Sequence, residues 1–263
     1  MREVSLYINK ETVVSRLDAR AKMIATATLF VVAMSFNHPV YLLSLLLFEA
    51  GLVVASRSLV NIKRVRVLLG LLFIFSAVMW TLLLQEGPVL FRLGPLKVYR
   101  DSALYGLGMG MRLVAMVVAG LVFLSSTMVE ESVFALRKFG LPMPMAFAFS
   151  LAFRMVSQLV NTAGTVKQAQ QIRGLDVDSG GIVRRIRNHI PLLIPIFVYS
   201  IKRVDSLTRA LEARGFGCTR KQTPFIISKL RVRDYALIVA SVVVAVSVIV
   251  LRVKGFGEVL SRL

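Results

Sequence analysis

The chain has 263 residues, of which 56% are hydrophobic, and its mean hydropathy is +0.73. This apolar content exceeds the roughly 45–50% usual for soluble domains, which excludes an ordinary soluble protein and indicates an integral membrane protein. The formal net charge is +19; because the basic residues alternate with membrane-length apolar runs, they indicate the lipid surface and no nucleic-acid partner.

The N-terminal segment does not resemble a cleaved leader. Residues 1–22 contain several acidic and basic side chains in place of the short apolar core of a signal peptide. We therefore expect this segment to be retained and cytoplasmic. Cys218 is the only cysteine, which excludes an intrachain disulfide and a cysteine-rich metal site.

Two apolar runs follow, at 23–36 and 40–55, and a short turn separates them. With its flanks, each run reaches about 20 residues, the length that a bilayer requires. Pro39 favours a turn because it lacks an amide hydrogen. The pattern predicts two transmembrane helices joined by a tight turn.

The third and fourth spans are predicted at 67–85 and 102–128. The segment between them, 86–101, contains several glycine and proline residues and is interpreted as a loop. Gly106 and Gly110 lie at the start of the fourth run, with the small-xxx-small spacing that permits close contact between helices.

Two ionisable side chains interrupt these spans: Glu49 in the second and Arg112 in the fourth. Charged groups inside a membrane are costly and usually face a partner or water. We expect the two residues to pair with each other in a structural role. Transport of a proton is the alternative.

The distribution of basic residues predicts the orientation. Positive charges are frequent in residues 1–22 and 56–66 and absent from the first turn, which places the N-terminus in the cytoplasm. The loop before the fourth span and the C-terminal tail also carry basic residues and do not follow this rule. A last uncharged run, 235–251, predicts a fifth span.

A basic region with helical periodicity lies between the fourth and last spans. Its first apolar stripe recurs every four residues and predicts a helix from about 145 to 173 that begins in or on the membrane. The stripe consists of Phe147, Leu151, Met155 and Leu159.

A second amphipathic helix is predicted after Gly181. Its apolar residues recur in steps of four and three, the spacing of a seam between two helices. They are Phe197, Ile201, Val204, Thr208 and Leu211. Pro191 and Pro195 should kink the first half of this helix, so that the two long helices cross.

The sequence therefore predicts an all-α integral membrane protein with about five transmembrane helices and a cytoplasmic domain of long crossing amphipathic helices. The expected boundaries are 1–128 for the four-helix membrane domain, 129–232 for the cytoplasmic coupling domain, and 233–263 for the last span and the tail.

The two long helices end in related triplets, Ile172-Arg173-Gly174 and Ala213-Arg214-Gly215. Each glycine can take the left-handed conformation that ends a helix, and the arginine then lies in the last turn, where the helix dipole favours a cation. A single triplet would indicate only a helix cap. Two triplets in register predict two positively charged ends that insert into acidic grooves of a partner.

Further residues give the chain a family resemblance: the Ser-Arg-Leu-Asp-Ala-Arg-Ala-Lys segment at 15–22, Gly140-Leu141-Pro142, and Phe153-Arg154. Together with the two triplets, these residues resemble the T components of energy-coupling factor (ECF) transporters, including related subunits of cobalt and nickel uptake systems. The resemblance covers nearly the whole chain.

The resemblance implies a non-catalytic coupling subunit without a cofactor, in the plasma membrane of a prokaryote. It implies that Arg173 and Arg214 dock into two cytoplasmic ATPase subunits of the ATP-binding cassette class, and that a separate membrane subunit, the S component, binds a vitamin or a transition metal. Ile172 departs from the alanine of the family's triplet. We expect it to pack on its helix while the arginine and glycine keep their roles.

An integral-membrane transferase is the alternative function. Asp176 and Asp178 form a D-x-D pair, an arrangement by which some glycosyltransferases hold a metal and a nucleotide sugar, although such residues are also ordinary in turns. His38 and His189 are too few and too far apart in sequence to predict a metal site. The sequence contains none of the common ATP-binding, serine hydrolase or zinc protease motifs.

Overall fold

A computed structural model describes residues 14–15, 17–84, 88–93, 96–175, 181–217 and 230–254. Within these ranges the chain forms eight α-helices and one short antiparallel pair of strands. The elements in chain order are α1 (Ala19–Ser35), α2 (Pro39–Ala55), α3 (Leu59–Leu83), β1 (Val89–Leu93), β2 (Leu96–Tyr99), α4 (Arg100–Ser126), α5 (Val129–Lys138), α6 (Met143–Ile172), α7 (Ile182–Ala213) and α8 (Val232–Val253).

The predicted class, a helical membrane protein, is confirmed. Among the described helices, α3, α4, α6 and α8 are long and apolar enough to cross a membrane. The first two predicted spans form shorter helices, α1 and α2, of 17 residues each. Helix α6 qualifies because its first half is apolar, as expected for a helix that begins in the membrane.

The predicted loop at 86–101 contains a β-hairpin. Strands β1 and β2 pair antiparallel, from Val89 opposite Tyr99 to Leu93 opposite Leu96. Both strands are rich in aliphatic and aromatic residues, which favour extended structure. Glycine and proline punctuate a hairpin as readily as a loop, so their presence alone does not distinguish the two.

The chain divides into two compact units. The first unit comprises residues 1–140 and 228–263 and contains α1 to α5, the hairpin and α8. The second unit comprises residues 141–227 and contains α6 and α7. The predicted assignment of these segments to membrane and cytoplasm stays a prediction.

Helix α4 is central to the first unit and contributes to both of its apolar clusters. In one cluster Ala115 packs with Ala33 of α1 and with Leu42 and Leu45 of α2. In the other, Val118 and Val122 pack with Val53 of α2 and Leu69 of α3. Many large apolar side chains on the outer faces of α2, α3 and α8 remain exposed, as expected for surfaces that contact lipid.

The glycines at the start of α4 permit close packing against α3. A Cβ atom on Gly106 would lie 2.6 Å from the carbonyl oxygen of Ala77, and one on Gly110 would lie 2.9 Å from the carbonyl oxygen of Phe73. Because real Cβ atoms do not approach a backbone so closely, only glycine fits at both positions. The predicted small-residue contact is therefore present between these two helices.

In the second unit, α6 and α7 contact each other but bury little surface. The predicted stripe on α6 is its half-buried face. The predicted seam on α7 is wrong, because Phe197, Ile201 and Val204 are exposed. The periodicity of an apolar stripe identifies the face of a helix that a partner can cover, and it does not identify the partner.

Candidate functional site

The first candidate site is the end of α6. Arg173 is the C-cap residue, and Gly174 has a φ of +87°, in the left-handed region. The N–H of Gly174 donates to the carbonyl of Gln171, and the N–H of Leu175 donates to the carbonyl of Gln170, both at 3.0 Å. This pair of hydrogen bonds is the Schellman motif, which ends a helix abruptly at a defined residue.

The end of α7 repeats this geometry. Arg214 is the C-cap residue, and Gly215 has a φ of +73°. The N–H of Gly215 donates to the carbonyl of Glu212 at 2.9 Å, and the N–H of Phe216 donates to the carbonyl of Leu211 at 3.0 Å. The two triplets therefore have one local structure, with glycine at the C′ position as the sequence predicts.

Both arginine side chains are available to a partner. Arg173 and Arg214 are exposed, as are the two glycines and Ala213. Neither guanidinium group forms a hydrogen bond or an ion pair with the residues that the structure describes. Each helix end thus presents an unpaired cation beside backbone carbonyls at the negative end of the helix dipole.

Ile172 differs from its predicted role. It is 88% exposed and does not pack on its helix. It is the last residue of α6, directly before the C-cap. An isolated exposed isoleucine beside an unpaired arginine provides an apolar contact next to a charge, a combination that suits an interface.

The two sites lie at opposite ends of α6. The ring of Phe216, directly after the second triplet, packs against Phe147 in the first turns of α6, with ring centroids 4.4 Å apart. Arg173 follows Phe147 by about 26 residues in the same continuous helix, which corresponds to about 39 Å along the axis. The described geometry therefore separates the two triplets by more than the diameter of a small domain.

The predicted pair of Glu49 and Arg112 is not formed. Arg112 donates from Nε to the carbonyl of Ala33 at 3.0 Å and from Nη2 to the carbonyl of Phe36 at 2.9 Å, and it also contacts the side-chain oxygen of Asn37. The guanidinium group therefore binds the C-terminal end of α1. Glu49 is 1% exposed, and its carboxyl oxygens have no hydrogen-bond partner among the described residues.

The remaining candidates form no further site among the described residues. Asp176 and Asp178 lie outside the described residues. His38 caps α2 by accepting from the N–H of Val40, and His189 is exposed on α7. The described residues contain no group of three or more histidine, cysteine, aspartate or glutamate side chains that could hold a metal ion.

The segment at 15–22 has distant partners that its sequence does not indicate, and Asp234 is one of them. Asp234 accepts a hydrogen bond from the N–H of Asp18, although the two residues are 216 positions apart. The aspartate in the first turn of α8 was visible in the sequence as an acidic residue near a helix N-terminus. Nothing in the local pattern indicated that it contacts α1.

The chain was compared with known proteins. A family model described as cobalt transport protein matches residues 10–225. The energy-coupling factor transporter transmembrane protein EcfT of Bacillus subtilis is 31% identical over 95% of this chain and 97% of its own length. Proteins of the same description from Streptococcus thermophilus and Thermosediminibacter oceani are 29% and 26% identical, over 96% of this chain in each case and 98% and 99% of their own lengths.

These matches span both described units and both triplets. Together with the apolar helices, they favour a transporter component over the transferase alternative. The chain belongs to the cobalt transport protein family and is a multi-pass transmembrane component of the energy-coupling factor transporter type.

Proposed function

We propose that this chain is the non-catalytic coupling subunit of an ECF importer. It transmits the ATP-driven motion of two cytoplasmic ATPase subunits to a membrane S component that takes up a vitamin or a transition metal. The names of its relatives support membership of such a complex, and the family description, cobalt transport, supports a metal among the substrates.

The observation that carries this proposal is the repeated helix end. A Schellman motif places each arginine at a defined point, and the exposed guanidinium group has no partner among the described residues. A residue whose backbone is fixed in this way loses little further backbone freedom when its side chain binds a partner, which favours association. An acidic groove in the ATPase would complement the charge of each end.

The separation of the two ends supports two ATPase subunits in place of one. Arg173 lies about 39 Å along α6 from Phe147, the residue that Phe216 contacts, at ~1.5 Å per residue. Two ends separated on this scale would reach beyond a single small domain. A homo- or heterodimer of ATPase subunits would offer one groove to each end. Closure of the dimer on ATP would then move the two helix ends, and the long helices would transmit the displacement.

Exposed apolar side chains on α7 support a membrane partner. Phe197, Ile201 and Val204 form a stripe that no other described residue covers. An apolar helix face of this kind is normally covered by another protein or by lipid. We assign it to the S component, with the N-terminus and α7 on the cytoplasmic side of a prokaryotic plasma membrane.

Charge reversal of Arg214 tests the proposal. A glutamate side chain placed opposite a buried acidic group would cost about 2–5 kcal/mol, so Arg214→Glu should weaken ATPase association at least about thirtyfold and reduce uptake with it. The measurements are the dissociation constant of the detergent-purified chain for its ATPases and substrate uptake by cells that carry the variant.

Arg203→Glu is the matched control, since Arg203 is exposed on the same helix but lies outside the triplet. This control should retain ATPase association. If Arg214→Glu co-purifies with the ATPases as well as the control does, the docking role is excluded.

A further inference from the structure

The first turn of α1 lies at the meeting point of several helices in the first unit. Asp234, in the first turn of α8, is 2% exposed. Its Oδ1 accepts from the N–H of Asp18 at 2.9 Å, and its Oδ2 accepts from the N–H of Arg231 at 2.8 Å. One buried carboxylate thus joins the start of α1 to the start of α8, with charge-assisted hydrogen bonds to both.

The same turn of α1 is bound to the end of α4. Lys22 is 4% exposed, and its ammonium group donates to the carbonyl of Ser126, the last residue of α4, at 2.8 Å. It also donates to the carbonyl of Ser15 at 3.0 Å. A buried ammonium requires such acceptors, so displacement of α4 from α1 would remove the carbonyl of Ser126 and leave Lys22 with that of Ser15.

Helix α5, which follows α4 directly, contacts this turn as well. The guanidinium carbon of Arg20 lies 5.3 Å from the centre of the Phe134 ring, a cation–π contact. The guanidinium group also lies near Asp18, with Nε 3.7 Å from Oδ1. Asp18 itself caps α1 by accepting from the N–H of Arg20 at 2.9 Å.

The helices that contact this turn of α1 flank the second unit in the sequence. Helix α5 is the last helix before residues 141–227, which contain both Arg-Gly ends, and α8 is the first described helix after them. The last described helix before the second unit and the first described helix after it are therefore both bound to one turn of α1. A simple N-cap at Asp18 would involve only neighbouring residues. Here Lys22 binds Ser126, which is 104 positions away, and Asp18 binds Asp234, which is 216 positions away.

We propose that Asp18, Arg20, Lys22 and Asp234 form an anchor that holds the two chain connections to the coupling helices at a fixed spacing. The inference rests on the proposed coupling function and assigns positioning residues to it. Without the anchor, α5 and α8 would shift against α1 when ATP moves the helix ends. Part of the displacement would then be lost before it reached the other membrane helices.

The first test measures coupling in the complete complex, reconstituted with its ATPases and S component. Asp234→Ala removes both acceptors of the anchor, whereas Asp234→Asn keeps one carbonyl oxygen. We expect substrate transported per ATP hydrolysed to fall at least about fivefold for the alanine variant, the lower end of typical coupling between sites, and less for the asparagine variant. ATPase association and ATP hydrolysis should persist.

Arg233→Ala is the matched control, because Arg233 is exposed in the same turn of α8. The Arg233→Ala variant should transport as much substrate per ATP hydrolysed as the unsubstituted chain. If Asp234→Ala also transports as much substrate per ATP hydrolysed as the unsubstituted chain, the proposed anchor is overturned. Failure of the unsubstituted chain to bind ATPases would instead refute the proposed function.

A second measurement leaves the anchor intact and so does not depend on whether Asp234→Ala folds. Spin labels are placed at the exposed positions Glu130 of α5 and Arg233 of α8 through Glu130→Cys and Arg233→Cys. Cys218→Ser removes the only native cysteine. The distance between the labels should be the same in the nucleotide-free and ATP-bound complexes. A nucleotide-dependent shift of the distance distribution overturns the anchor.

Discussion

Glu49 is a buried carboxyl in the described part of the first unit. It lies on the face of α2 that also carries Leu42, Leu45 and Val53, all of them buried against neighbouring helices. Its carboxyl oxygens have no hydrogen-bond partner among the described residues. Burial without a partner costs free energy, so Glu49 weakens the folded chain unless a partner protein satisfies it.

Replacement of this carboxyl by an apolar side chain should stabilise the isolated chain. Glu49→Leu is expected to increase the free energy of unfolding by about 1–3 kcal/mol, because it removes an unsatisfied polar group from an apolar face. The measurement is the unfolding midpoint of the detergent-purified protein. Glu49→Gln keeps a polar group at the site and should give a smaller gain. A lower midpoint for the leucine variant would show that Glu49 has a stabilising partner.

At the scale of elements, the packing of α4 on α3 determines how the first unit is held together. Of the two glycines of α4 that face α3, Gly106 has the closer neighbours. An added Cβ there would clash with Oγ1 of Thr81 and lie 2.6 Å from the carbonyl oxygen of Ala77. The backbone carbonyl cannot rotate away as a side chain can. Any larger residue must therefore push the two helices apart.

Gly106→Ala should therefore reduce the free energy of unfolding by about 1–3 kcal/mol through overpacking. Gly120→Ala in the same helix is the control, because an added Cβ there would meet no atom within 4 Å. That control should be neutral or stabilising by up to ~1 kcal/mol, since alanine favours helix. Chemical unfolding of both purified variants compares them. An equal loss of unfolding free energy in Gly106→Ala and Gly120→Ala would contradict the close contact between α3 and α4.

At the scale of the whole molecule, the two Arg-Gly ends should act independently. They lie at opposite ends of α6, and residues that are far apart and share no partner contribute additively to binding free energy. If each arginine occupies its own ATPase groove, the losses in binding free energy from Arg173→Glu and Arg214→Glu should add in the double variant, within about 0.5 kcal/mol.

The dissociation constants of the two single variants and the double variant for the ATPase pair show directly whether the losses in binding free energy add. A double variant no weaker than Arg214→Glu alone would mean that only the end of α7 docks. Such a result would agree with the difference between the two triplets, where Ile172 occupies the position that Ala213 has in the second.

Features that depend on a few neighbouring residues were predictable from the sequence. The long apolar helices follow from uncharged runs long enough to cross a bilayer. The two helix ends follow from glycine, which adopts a positive φ at C′ without strain. The observed φ values at Gly174 and Gly215 agree with this local rule. The strands at Val89–Leu93 and Leu96–Tyr99 were missed because the same glycine and proline residues punctuate loops and hairpins.

The partners of these elements were decided only by the tertiary structure. Arg112 binds carbonyls at the end of α1, 76 and 79 positions away, in place of Glu49, and Asp234 binds Asp18 across 216 positions. Periodicity and capping rules describe interactions within one or two turns. Which distant polar group satisfies a buried charge depends on helix packing, because a hydrogen bond requires its two atoms to lie within about 3 Å of each other.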